Sequence, residues 1–180
     1  MSPPSPLEED LGLLLEEPSS SPVLGGIWAR ILSGVDALER FAPYAPQVAS
    51  ALQVDVHQAR RALHGLSDKQ GWVSIVPPGI RIRPMVVGAE ASRQEVPGAM
   101  FAEILPGGGV PTHRHHGAEV MVVLQGYLCD VTRSGEIFEA GSVLASEDGS
   151  VHALQVPLEP AIPCLCLVVN AGWIEFLELA

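Results

Sequence analysis

At 180 residues the chain has room for one full domain plus a small one, and 47% apolar against 17% charged residues describes a globular protein rather than a disordered one. A formal net charge of −11 and a pI near 4.8 set it against phosphate backbones, which argues against nucleic acid as a direct partner. Three cysteines, none among the first 128 residues, do not make a secreted disulfide framework. The acidic, proline-broken start is no signal peptide and no apolar run reaches the ~20 residues of a spanning helix, so a cytoplasmic protein is expected.

Residues 1–22 alternate Pro/Ser clusters with Glu and Asp and read as a disordered acidic tail, with Leu11 to Leu15 as one short amphipathic turn inside it. A helical module is expected over 23–69. Leu24, Ile27, Trp28, Ile31, Leu32, Val35 and Leu38 recur at three and four, the period of a helix with one buried face. Pro43 and Pro46 end that helix, and a second covers Gln47 to Leu52. Asp55 is placed to N-cap a third, with Val56, Ala59, Leu63 and Leu66 on one face and His57, Arg60, Arg61 and His64 mostly off it. The cadence from Val48 to Leu63 is that of a helix-turn-helix, with Gln53 where the turn glycine often stands. Arg60 and Arg61 are the only adjacent basic pair, so a docking module for another protein fits better than a DNA reader.

From Gly71 the pattern turns to short strands: 72–76, 80–87, 99–105, 119–125, 127–132, 142–145, 151–156, 164–169 and 173–177, separated by Pro-Gly, Ser-Gly, Ala-Gly and Asp-Gly turns. Ile80-Arg-Ile-Arg alternates, so one of its faces is wet. Val120 to Leu124 is apolar throughout, so that strand is buried on both faces, inside a sandwich or against a second subunit of a homodimer. Short strands of this number and spacing predict a mainly β, double-sheet jelly roll over 70–180.

The chemistry concentrates in Gly107-Gly-Gly-Val-Pro-Thr-His-Arg-His-His-Gly-Ala-Glu119. His113 and His115 share one face of an extended segment, since side chains alternate with period 2. Glu119 follows the turn-prone Gly117, so a bend can carry its carboxylate to the same point, and His152 in its own glycine-framed hairpin supplies a third imidazole. These four make a divalent-metal site with ligand bonds of about 2.0–2.2 Å. His116 points to the opposite face and is assigned to the surface or to the ring of residues behind the ligands. A closed tetrahedron suits zinc, and the same ligands with open positions suit iron, manganese or nickel. Cys164 and Cys166 share a strand face with Leu165 on the other, either as packing or as a redox pair close to the metal, and Cys129 is placed in the core.

The glycine, His-x-His, glutamate and glycine at Gly107, His113, His115, Glu119 and Gly126 resemble the first cupin motif with every spacing met, and Gly141, Gly149 and His152 match the second. The departures are Glu147 for the usual proline and Val156 for the usual asparagine. The Pro106-Gly-Gly-Gly109 lead-in, the Gly-Ala-Glu at Glu119, the Val-Leu-Gln-Gly at Gly126 and the Cys164-Leu-Cys166 pair are most similar to the ChrR-type branch, zinc-binding anti-sigma factors. The resemblance implies a cupin double-stranded β-helix over roughly 70–180, zinc on the four ligands, and a helical module that binds an extracytoplasmic-function sigma factor. It also implies a ligand- or oxidant-sensing role for the cupin, with Cys164 and Cys166 in the responsive site. The family's helical domain holds its own zinc through His and His-x3-Cys-x2-Cys, a motif absent here because residues 1–128 contain no cysteine. The rival expectation is a metal-dependent cupin dioxygenase or isomerase acting on a small molecule, for which Gln125, Arg83 and Tyr127 are the visible polar pocket candidates. A stand-alone metal- or ligand-binding cupin is the third.

Overall fold

Two short helices open the described part of the chain, and each begins where local chemistry tells it to. The computed structural model describes residues 40–67, 70–75, 79–87 and 94–177. The expected tail and the Leu24–Leu38 helix, with Trp28 and Ile31, lie outside these. Pro43 starts a 3₁₀ turn, Ala42–Tyr44, and Pro46 sits in the first turn of α1, Ala45–Leu52, where the missing N–H is harmless. Gln53 takes the left-handed conformation that ends α1 (φ 54°), doing what a glycine usually does at that place. Asp55 caps α2, Val56–His64, as expected: its carboxylate accepts from Gln58 N at 2.8 Å while Asp55 N donates to Gln58 Oε1 at 3.2 Å.

Eleven described strands follow: β1 Val73–Ile75, β2 Ile80–Val87, β3 Gln94–Ile104, β4 Gly109–His116, β5 Glu119–Gln125, β6 Tyr127–Asp130, β7 Glu136–Glu139, β8 Val143–Ser146, β9 Val151–Gln155, β10 Cys164–Asn170 and β11 Trp173–Phe176. They form a six-stranded sheet, β1-β2-β3-β10-β5-β8, and a five-stranded sheet, β11-β4-β9-β6-β7, with every pairing antiparallel. This is the mainly β double-sheet cupin architecture. The expected strands did not include β4, whose histidines were read only as an extended segment, or β7, whose Glu136-Ile-Phe-Glu carries no strong apolar alternation and is mostly exposed. The expectation also began β3 five residues late, because Pro97 and Gly98 read as a turn but lie within the strand.

One core lies between the sheets, with Ile104, Met121, Val123, Leu128, Leu154 and Cys166 among its members. A second lies on the outer face of the six-stranded sheet, where Val48, Leu52 and Leu63 of the helices meet Phe101, Val122, Leu124 and Leu167. The doubly apolar β5 thereby finds its explanation. Met121 and Val123 face the barrel interior, and Val122 and Leu124, on the opposite side, are roofed by α1 and α2. β10 divides the same way, with Cys164 and Cys166 inward and Leu165 and Leu167 outward. Leu63 is therefore spent on internal packing, only 2% exposed, and Leu63→Ala is expected to cost about 2–5 kcal/mol in a urea melt of the whole chain.

Candidate metal centre

Register brings the histidines together. His113 on β4 and His152 on β9 are directly opposed cross-strand partners, so their rings rise from the same sheet face side by side. His115 follows two residues on, and the alternation His113 buried, Arg114 exposed, His115 buried puts it on the same inner face. The ring centroids lie 4.5–4.8 Å apart, and one ring nitrogen from each residue falls within 4.8 Å of the others.

Hydrogen bonds decide which nitrogens face the centre. His113 Nδ1 donates to the Pro111 carbonyl at 2.8 Å, so its Nε2 carries the lone pair. His152 Nδ1 lies 3.5 Å from the Asp130 carboxylate, which as an acceptor keeps the proton there and turns the other nitrogen inward. The Nε2 atoms of His115 and His152 are 2.9 Å apart, and His115 Nδ1 is buried without a hydrogen-bond partner among the described residues. Burial holds all three imidazoles below their ordinary pKa, and for His152 the value falls to about 4, helped by repulsion from His113 and His115 and opposed by Asp130. Neutral rings with lone pairs turned toward one point repel each other, and a divalent cation at that point converts the repulsion into ligation. The donor set fits a metal ion, and these three buried histidines can hold one.

Glu119 stands differently. Its carboxylate is buried, which pushes its pKa up to about 7, and Oε2 accepts from Asn170 Nδ2 at 3.4 Å. It lies outside the three-histidine cluster. Glu119 comes from β5 of the six-stranded sheet, whereas all three histidines come from adjacent strands of the five-stranded sheet. The turn between β4 and β5 rests on Gly117, where φ is 118° and a Cβ would meet Gly172 N at 2.8 Å, so no side chain fits there. His116 points outward, stacked on Trp173 at 4.0 Å and bonded to Glu175 at 3.0 Å.

The two departures from the second cupin motif do not open the His152 hairpin. Glu147 O accepts from Ser150 N and Ser150 Oγ, closing the turn before β9, and Val156 is buried with its N–H on the Gly108 carbonyl. Cys164 and Cys166 are buried free thiols facing the interior, and Cys129 is a half-buried one. A hydrogen bond with Cys164, together with burial, pushes the Cys166 thiol well up, so it stays protonated.

Asp130 was not legible in the sequence. It is 1% exposed and held below the usual carboxylate range: burial works the other way, but bonds from Thr132 Oγ1 (2.6 Å), Thr132 N and Arg133 N and the neighbouring His152 outweigh it. Only the β6–β9 pairing, which sets Asp130 opposite Leu154, makes it a diagonal neighbour of His152. Asp130→Asn is expected to weaken metal binding about 10–100-fold in a chelator competition, since it removes the charge that orients the ring.

An apolar cavity of about 260 Å³ between the sheets touches His113 and Glu119. Gln125, Arg83 and Tyr127 do not line it: Gln125 and Tyr127 border a separate depression near Tyr44, Gln125 Nε2 donating to Pro163 O at 3.1 Å, and Arg83 donates to the Gly65 carbonyl.

Comparison with known proteins follows the same lines. The family model described as the ChrR cupin-like domain matches residues 61–171. No curated protein matches the chain. Among solved structures the chain is similar to a cupin-like protein of unknown function from Ralstonia eutropha JMP134, at 20% identity and TM-score 0.42, covering 52% of this chain and 56% of that one. An RmlC-like cupin protein from the same organism matches at 19% identity and TM-score 0.46, over 59% of this chain and 66% of that one. The chain thus spans 56–66% of these two relatives. The structure of Rhodobacter sphaeroides SigE in complex with the anti-sigma ChrR matches at 23% identity and TM-score 0.45, over 91% of this chain and 76% of that chain.

Proposed function

The chain belongs to the ChrR cupin-like family, and on that footing we infer that it is a cytoplasmic regulatory protein, an anti-sigma factor whose cupin domain holds zinc and responds to a ligand or oxidant. One observation carries the metal half of this reading: three buried, neutral imidazoles directed at one point, with Asp130 behind His152. Zinc suits three imidazoles and a carboxylate, and Glu119, now bonded to Asn170, is the residue that would supply the carboxylate. When bound there, zinc supplies a cross-link between the sheets, the five-stranded one through the histidines and the six-stranded one through Glu119. Three free thiols and the absence, among the described residues, of a helix long and apolar enough to cross a membrane agree with the cytoplasm.

Family membership supports the sigma-factor half, ChrR being the anti-sigma bound to SigE in the Rhodobacter structure. Leu63 and Leu52 are committed to the barrel, so the side of α2 left for a partner is the exposed one bearing His57, Arg60 and Arg61. Cys166 is fully buried, with its thiol on the Ala102 carbonyl, which favours a ligand entering the barrel over a solvent-borne oxidant as the signal.

The test is affinity purification of the full chain from its own cells, with elemental analysis and identification of bound proteins by mass spectrometry. One zinc per chain and a co-purifying extracytoplasmic-function sigma factor are expected. A zinc-loaded chain that brings down no sigma factor would overturn the regulatory reading. Iron with turnover of a small molecule would replace it by a cupin dioxygenase.

A further inference from the structure

The cavity between the sheets is lined by far more hydrocarbon than a metal site needs. Ile80, Ile82, Ile104, Val110, Leu154 and Val168 form its walls, while Met100, Ala102 and Met121 fill out the lining. Against these, the polar side chains on its described lining are His113, Glu119, Asn170, the Cys166 thiol and the Trp173 indole. Glu119 and Asn170 are paired across β5 and β10, so this polar pair sits together at one end. Ile75, Trp173 and Phe176 belong to the same lining and are 37%, 60% and 49% exposed, which marks the mouth as apolar too.

We propose that this cavity is a binding site for a small neutral amphiphile, an aliphatic molecule with a single hydroxyl or carbonyl head that meets the Asn170 amide, which is free to pair with it once Glu119 turns to the metal, while its chain lies between the sheets. The inference rests on the regulatory reading above and names the ligand class of that same domain. A volume of about 260 Å³ exceeds the space that takes up benzene in an engineered apolar cavity, and gives room for roughly eight to ten carbon atoms. Apolar walls exclude the alternatives. A sugar or polyol would leave its hydroxyls unpaired against isoleucine, leucine and methionine, and water gains too few partners there to be held. Large apolar side chains left in water at a cavity mouth are the feature expected where a hydrophobic ligand enters.

The experiment is isothermal calorimetry of the full, metal-loaded chain with 1-octanol, 2-octanone and glucose. Saturable binding of the first two at one site per chain, with none for glucose, is the expected result. Ala102→Leu, which fills the cavity, should lower the octanol affinity at least tenfold with metal content unchanged. Should that variant not fold, Ile174→Trp on the edge strand β11 narrows the same cavity and is expected to weaken binding in the same direction. Absence of octanol binding up to its solubility, or binding that neither folded variant weakens, overturns the proposal. Neither result touches zinc content or sigma-factor capture, so failure here is separable from failure of the regulatory reading.

Discussion

Replacing His113 and His152 together with alanine is expected to abolish stoichiometric metal binding and to lower the melting temperature by roughly 8–16 °C. Ligand linkage gives about 4 kcal/mol for a site loaded at a thousand times its dissociation constant, and a domain of this size loses about 2–4 °C per kcal/mol. The wild-type protein treated with a strong chelator should melt at nearly the same temperature as the double variant, because both lack the same tie. His116→Ala is the control: that ring faces outward on Trp173, so metal content should not change. Unchanged metal content and melting temperature in the double variant would show that no ion is held by these rings.

Glu119→Gln is expected to have opposite effects with and without metal. In the chelated protein the folded-state pKa of Glu119 is raised from 4.5 to about 7, so its contribution to stability is full below pH 4.5 and lost as pH rises through 7. Glutamine mimics the protonated form, and the chelated variant should therefore be more stable than wild type at pH 8 by about 3 kcal/mol and equal to it near pH 4. His152 runs the other way: its folded pKa is depressed from 6.5 to about 4, so the stability it lends at neutral pH is lost on acidification across that window. His113 and His115 are shifted in the same direction, so the metal-free variant should lose stability more steeply between pH 6.5 and 4 than wild type, in which Glu119 opposes the slope. In the metal-loaded protein the sign at pH 8 reverses if Glu119 is the fourth ligand, since an amide oxygen is a weaker ligand than a carboxylate. Urea melts at the two pH values, each with and without chelator, read all four cases. A variant more stable than wild type in both states would remove Glu119 from the ligand set.

Much of this protein is written locally. Strand alternation put His113 and His115 on one face and His116 on the other, Asp55 announced the N-cap of α2, and Gly117 and Gly149 marked turns with positive φ. Such features depend on residues a few positions apart, and the backbone's own periodicities are enough to read them. β7 and the start of β3 were lost because their signals are weak or contradictory over the same short range.

What neighbours in space contribute was hidden until the sheets paired. Asp130 stands behind His152 only through the β6–β9 register, and Asn170 meets Glu119 only through β10 and β5. The outer face of β5 could have belonged to a second subunit, and the helices claim it instead. The three clustered histidines lie in one sheet and Glu119 in the other, a division that no spacing along the chain encodes, because it depends on which strands a turn delivers to which sheet.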